Sequence, residues 1–163
     1  MLFRSPVLRG LTNTLGETVH LATEDDWHLV FLDSVEAEGS IVRSVARLGR
    51  SESPMYCSGL GKALLAAHTD DELVHRYRGT KFRRVTSSTV ATFNELMNEM
   101  RAIRRRGYAL DRGESSEELF CVACPVYDRS RRVVAAISCS APARESVRED
   151  EIAAVVSRAA RKV

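Results

Sequence analysis

"LFCVACPVYDRSRRVVAAISCSA", residues 119–141, sets two apolar runs on either side of the polar turn "DRSR" and predicts a β-hairpin closed by Pro142. With the turn centred near Arg129 and Ser130, Val126 pairs with Val133 and Cys121 with Ser138. Alternation then sorts the side chains onto two faces. One carries Val122, Cys124, Val126, Val133, Ile137 and Cys139 and is the core face. The other carries Cys121, Ala123, Pro125, Ala136, Ser138 and Ser140, small residues with hydroxyls and a thiol. Two readings fit that second face: a small-ligand pocket and a solvent-facing strand surface.

Upstream, residues 17–22 and "WHLVFLDSV" at 27–35 are strands joined by the turn "TEDDW", and "SIVRSVARL" at 40–48 alternates as a third. The period then changes. Residues 61–67 are helical, and Thr69 with Glu72 forms a capping box for the next helix. Thr92 and Glu95 form a second box, followed by Phe93, Leu96, Met97, Met100 and Ile103 on one helical face, a stripe that suits a core or a partner. After the "GY" at 107–108 come a short strand and the acidic, Ser-rich loop "DRGESSEE". Ser146 and Glu149 box a final helix whose Ile152, Val155, Val156 and Ala159 face inward. Strands in hairpins, without alternating helices, predict an α+β fold: one domain, 1–163, with a largely antiparallel sheet flanked by helices.

Composition narrows the function. The 163 residues carry 24 basic and 22 acidic side chains, a net charge of +2 that is too balanced to mark a nucleic-acid surface. The local arginine cluster of "RAIRRRGYALD", 101–111, ends a helical pattern, where positive charge suits the helix dipole and is solvated. No apolar run reaches the roughly 18–20 residues of a membrane span, and no secretory signal precedes the first periodic segment, so a cytoplasmic protein is expected. Cys57, Cys121, Cys124 and Cys139 are then expected to be reduced thiols.

"MYCSGLGKALLA", 55–66, has the look of a phosphate loop. It lacks the parts. Tyr56 stands where a Walker loop needs its first Gly, and Ala63 where that loop needs a hydroxyl for Mg²⁺. A nucleophile elbow at Ser58 would need glycines at Tyr56 and Leu60. What remains is Ser58 as an N-cap and glycines that let a small anion approach the free N–H groups of a helix.

"CVAC" is a weak metal or redox signal. Residues three apart on a strand point to opposite faces, so Cys121 and Cys124 cannot share an ion on an unbroken strand. No second CxxC exists, and a thioredoxin-like pair would sit at a helix start. His20 and His28 fall on strands, His68 and His75 on helices, and none has the spacing of a catalytic constellation. The expectation is a protein with no catalytic residue, metal or cofactor. Residues 114–118 are expected to be a solvated acidic loop, with Asp111 close enough to the hairpin to reach its hollow.

"GETVHLA", "YCSGLGKALLA", "RRRGYALDRGE" and "CVACPVYD…VVAAISCSAP" occur in this order. Together they resemble the ligand-binding domain of IclR-family transcriptional regulators, over nearly the whole chain from about Leu8. The resemblance implies a GAF-like fold that binds a small effector, often an organic or aromatic acid. It also implies control of an N-terminal winged helix-turn-helix that binds operator DNA, in a homodimer or homotetramer. There is no room for that module before Leu8, so the chain resembles an excised sensor domain or a protein that lost its DNA module. Carried over from the family, Gly59 and Leu60 offer backbone N–H groups to a carboxylate, Asp111 a polar contact and Leu119 an apolar wall. Cys121, Ser138 and Ser140 line the floor. Lys62 is then structural or solvent-facing. Two positions depart from the family pattern: Glu118, where Gly is usual, and Cys124, where a small apolar residue is usual. The rival expectation is a GAF-like thiol-dependent reductase, as for free methionine sulfoxide, using Cys57, Cys121 or Cys124.

Overall fold

The structure is a computed structural model and describes residues 6–40, 48–143 and 148–163. Its elements run α1 (Pro6–Leu15), β1 (Thr18–Asp25), β2 (His28–Val35), β3 (Gly49–Arg50), a 3₁₀ turn (Met55–Cys57), α2 (Gly59–Leu65), α3 (Asp70–Tyr77), α4 (Phe93–Arg106), β4 (Ala109–Arg112), β5 (Leu119–Tyr127), β6 (Val133–Pro142) and α5 (Glu149–Ala160). The six strands form one sheet in the order β3-β2-β1-β6-β5-β4, and every pairing is antiparallel. This is the expected α+β architecture. No helix among the described residues is long and apolar enough to cross a membrane.

Both faces of the sheet are covered. On one, Leu8, Leu11 and Leu15 of α1 and Ile152 and Val156 of α5 pack on Val19, Val122, Ile137 and Cys139. On the other, Leu60 and Leu64 of α2, Leu73 and Tyr77 of α3, and Leu96, Met97, Met100 and Ile103 of α4 pack over Ala22, Ala123 and Ala136. The methionine stripe of α4 is therefore core. The small side chains of the second sheet face let α2 lie close. They do not face solvent.

The β5–β6 hairpin forms, in a different register. Cys121 pairs with Ser140, Ala123 with Ser138, and Val126 with Ala135, two residues away from the expected pairing. The cause is the loop: Asp128 N–H donates to Arg132 O and Arg131, at φ 62°, donates to Asp128 O, so the turn is longer than "DRSR" and a bulge follows at Val126/Tyr127. A shift of two leaves the face of most residues unchanged, because the side-chain period is two. Val133 lies beyond the bulge and is the exception, packing with the α2 side of the sheet.

Other expectations are adjusted. The β1–β2 turn is tight, with Asp26 and Trp27 both at positive φ, as a primed hairpin turn needs. Helix α1 was not expected, although Leu8, Leu11, Thr12 and Leu15 have helical spacing and are its buried residues. His68 lies in the turn between α2 and α3 rather than on a helix. Thr69 and Glu72 make their full box, but at Thr92 only half forms: Glu95 N–H donates to Thr92, while the Glu95 carboxylate accepts from Ala91 N–H. Ser146 and most of the third strand, residues 41–47, fall outside the described residues. Arg148 occupies the α5 N-cap, and its side chain pairs with Glu151 rather than capping the helix.

Candidate functional site

Helix α2 begins where the chain allows a close approach. Ser58 is extended and its hydroxyl accepts from Gly61 N–H at 3.1 Å. Gly59 lies against the sheet: a Cβ there would be 3.0 Å from Cys121 Sγ and 3.4 Å from Ala123 Cβ. The N–H groups of Gly59 and Leu60, in the first turn, have no acceptor within the helix.

Between this helix start and the sheet is a cavity of about 250 Å³. All seven residues singled out from the sequence line it: Gly59, Leu60, Asp111, Leu119, Cys121, Ser138 and Ser140. Further walls come from Leu29, Phe31, Cys57, Ser115, Ser116 and, unexpectedly, His20. Among the described residues, no lysine or arginine lines it. At interior packing density the volume suits a molecule of roughly ten non-hydrogen atoms.

The floor is polar. Ser138 is fully buried, and its Oγ has no hydrogen bond of ordinary geometry; the Cys121 thiol beside it is a weak partner. His20 pairs across strands with Ser138 and packs edge-on to Phe31, ring centroids 5.7 Å apart. Burial lowers its pKa to about 4, against a small opposing pull from Glu36, so it is a neutral imidazole at pH 7. Sequence reading missed His20 because the β1–β6 pairing that brings it beside Ser138 spans the whole chain.

Asp111 reaches the cavity but its oxygens are engaged by the loop above. Oδ1 accepts from Glu114 N–H at 2.7 Å and Ser115 N–H at 3.3 Å, and the Ser115 hydroxyl donates to Oδ2. Burial raises its pKa, with these hydrogen bonds opposing. Lys62 is not solvent-facing. It is fully buried, with Nζ 2.9 Å from Glu114 Oε1, 2.7 Å from Oε2 in poorer alignment, and 3.3 Å from Glu99. The acidic loop is accordingly only partly solvated, since Glu114 turns inward. Nor are the helix-end arginines merely solvated. Arg104 donates to Ala66 O and His68 O at the end of α2 and pairs with Asp70, while Arg106 donates to Tyr108 O and pairs with Glu99.

Burial raises the Cys57 pKa to about 11, and those of Cys121 and Cys124 to about 12. Cys139 moves up as well. Cys121 and Cys124 lie on opposite faces of β5, and no group of three His, Cys, Asp or Glu among the described residues could hold a metal ion.

Sheet, helix and serine-rich cavity place the protein among α+β domains that keep a small cavity under one helical layer. The sequence matches the family described as bacterial transcriptional regulator IclR C-terminal over residues 3–163, and the chain belongs to that family. It is 32% identical to the HTH-type transcriptional regulator KdgR of Escherichia coli K12, over 96% of this chain and 59% of that protein. It is 38% identical to the HTH-type transcriptional repressor AllR of Salmonella paratyphi A, over 85% of this chain and 50% of that protein. The chain thus spans between half and three-fifths of these relatives. The crystal structure of Thermotoga maritima IclR superposes with a TM-score of 0.86 at 33% identity, covering 94% of this chain and 62% of that one.

Proposed function

We propose that this domain is the effector sensor of a cytoplasmic transcriptional regulator, that the cavity is its effector site, and that the effector is a small organic or aromatic acid. The observation that carries the reading is the Ser138 hydroxyl, fully buried at the cavity floor without an ordinary hydrogen-bond partner. A buried orphan hydroxyl costs about 1–3 kcal/mol unless something supplies its bond, and a ligand polar group at that spot does so. The ligand carboxylate is assigned to the Gly59 and Leu60 N–H groups, with serine hydroxyls in place of a counter-ion. Asp111 and His20 then meet the uncharged end of the ligand, where neutral imidazole and a loop-bonded carboxylate cost least.

Operator binding belongs to a helix-turn-helix segment of the full-length regulator, arranged as a homodimer or homotetramer whose geometry the ligand biases. The domain does no chemistry of its own. The thiol-reductase reading is disfavoured because a working thiolate needs a lowered pKa, and burial moves Cys57, Cys121 and Cys124 the other way.

Thermal-shift measurements with keto, hydroxy and aromatic acids test the reading. A ligand at a hundredfold excess over Kd stabilises by about 2.7 kcal/mol, several degrees for a domain of this size. A shift that Ser138→Val abolishes is expected. No shift with any acid, or one that Ser138→Val leaves intact, overturns the assignment.

A further inference from the structure

We infer that Lys62, which does not line the cavity, is its positioning residue: the ion pair with Glu114 latches the strap of residues 113–119 over the cavity, and breaking it opens the mouth. The consequence for affinity rests on the cavity being the ligand site; the latch itself does not.

The strap contributes Ser115, Ser116 and Leu119 to the cavity wall. Its own turn is closed by Gly113 N–H donating to Leu119 O at 2.9 Å and Leu119 N–H donating to Ser116 O at 3.0 Å. On its outer side the Thr89 hydroxyl donates to Glu114 O at 2.7 Å, and the Thr86 hydroxyl donates to Gly113 O. These bonds, and those to Asp111, tie the strap to itself, to β4 and to the 86–89 loop. Among the described residues, the Lys62–Glu114 pair is the ion pair that ties it to α2, whose Gly59 and Leu60 form the opposite wall. One ion pair therefore joins the two walls.

The surrounding charges make that join decisive. Glu114 faces Lys62 from α2, Glu99 from α4 and Asp111 from β4, and Arg106 approaches only through Glu99. Lys62 is thus the cation that two carboxylates share at full burial. Without it Glu114 is left partly desolvated beside two like charges, and whether it takes up a proton or moves toward water, the strap loses its charged hold on α2. The pKa of Glu114, pushed up to about 7 mainly by desolvation, shows how little charge this spot tolerates beyond what Lys62 offsets.

The four cysteines provide the readout. Cys57 and Cys121 line the cavity behind the strap, whereas Cys124 and Cys139 are buried on the other side of the sheet. Iodoacetamide alkylation of the whole chain, resolved by cysteine and run without ligand, separates strap opening from global unfolding. For Lys62→Met the Cys121 rate is expected to rise about tenfold or more while Cys124 and Cys139 stay protected. Lys62 favours the Cys121 thiolate, so its removal alone would slow this reaction, and a rise reports access. Glu114→Ala, which leaves Lys62 paired with Glu99, guards against a Lys62 variant that fails to fold; a several-fold rise at Cys121 is expected. A Cys121 rate equal to wild type in Glu114→Ala, or a parallel rise at all four cysteines, overturns the latch. Acid binding plays no part in this readout, so the strap can fail while the cavity still binds an acid, and the reverse.

Discussion

A methyl group on Gly61 would sit 2.1 Å from the Met55 carbonyl oxygen, so the first turn of α2 and the 3₁₀ turn before it meet backbone to backbone. Neither carbonyl nor helix can yield cheaply, because Met55 is buried and Ser58 already bonds to Gly61 N–H. Gly61→Ala is therefore expected to destabilise the domain by about 3 kcal/mol or more. Urea unfolding measures this, and a midpoint near that of wild type would show that the contact relaxes.

Ser138→Val acts in the opposite sense on the free domain. It removes a buried hydroxyl with no ordinary partner and adds apolar volume beside an open cavity. Unliganded stability should hold or rise by about 1 kcal/mol. A loss of more than that in a thermal melt would mean that the hydroxyl is already satisfied.

Asp111 ties the loop through two N–H donors and one hydroxyl. Asp111→Ala should cost about 2 kcal/mol, the scale of charge-assisted bonds, and should speed amide exchange at Glu114 and Ser115. Unchanged exchange at both amides would place the loop's order elsewhere.

His68 carries a pH dependence. Its Nε2 lies 2.7 Å from Glu24, its Nδ1 3.5 Å from Glu72, and its ring stacks on Trp27 at 4.2 Å. The hydrogen bond to Glu24 raises its pKa most, and burial opposes. A raised histidine contributes stability that is complete below its unfolded value of 6.5 and is lost as pH climbs through the folded value. His68→Gln should therefore lose more stability relative to wild type at about pH 5.5 than at about pH 9. An equal loss at both would assign His68 a packing role only.

Local pattern made much of this molecule legible. The hairpins, the Ser58 and Thr69 caps and the α4 stripe follow from spacing within a dozen residues, and the seven cavity residues followed from motifs in order. The faces of β5 and β6 survived a wrong register because the error was an even number of residues. What local reading misses is contact at long range. Lys62 is 37 residues from Glu99 and 52 from Glu114, so nothing beside it announces burial. His20 meets Ser138 only through strands at opposite ends of the chain. Glu114 resembled its exposed neighbours Glu117 and Glu118 in composition, and only its partner distinguishes it.

The two-sided sheet has a mechanical consequence. The cavity lies under α2, while α1 and α5 grip the reverse side, so among the described residues no helix connects the cavity to the layer that α1 anchors. A shape change on one side can reach the other across one strand's thickness, where β6 alternates Ser138 and Ser140 toward the cavity with Ile137 and Cys139 toward α1 and α5. The central strands act as a diaphragm rather than as a floor, and a rotation of β6 by a few degrees would be felt at once by both.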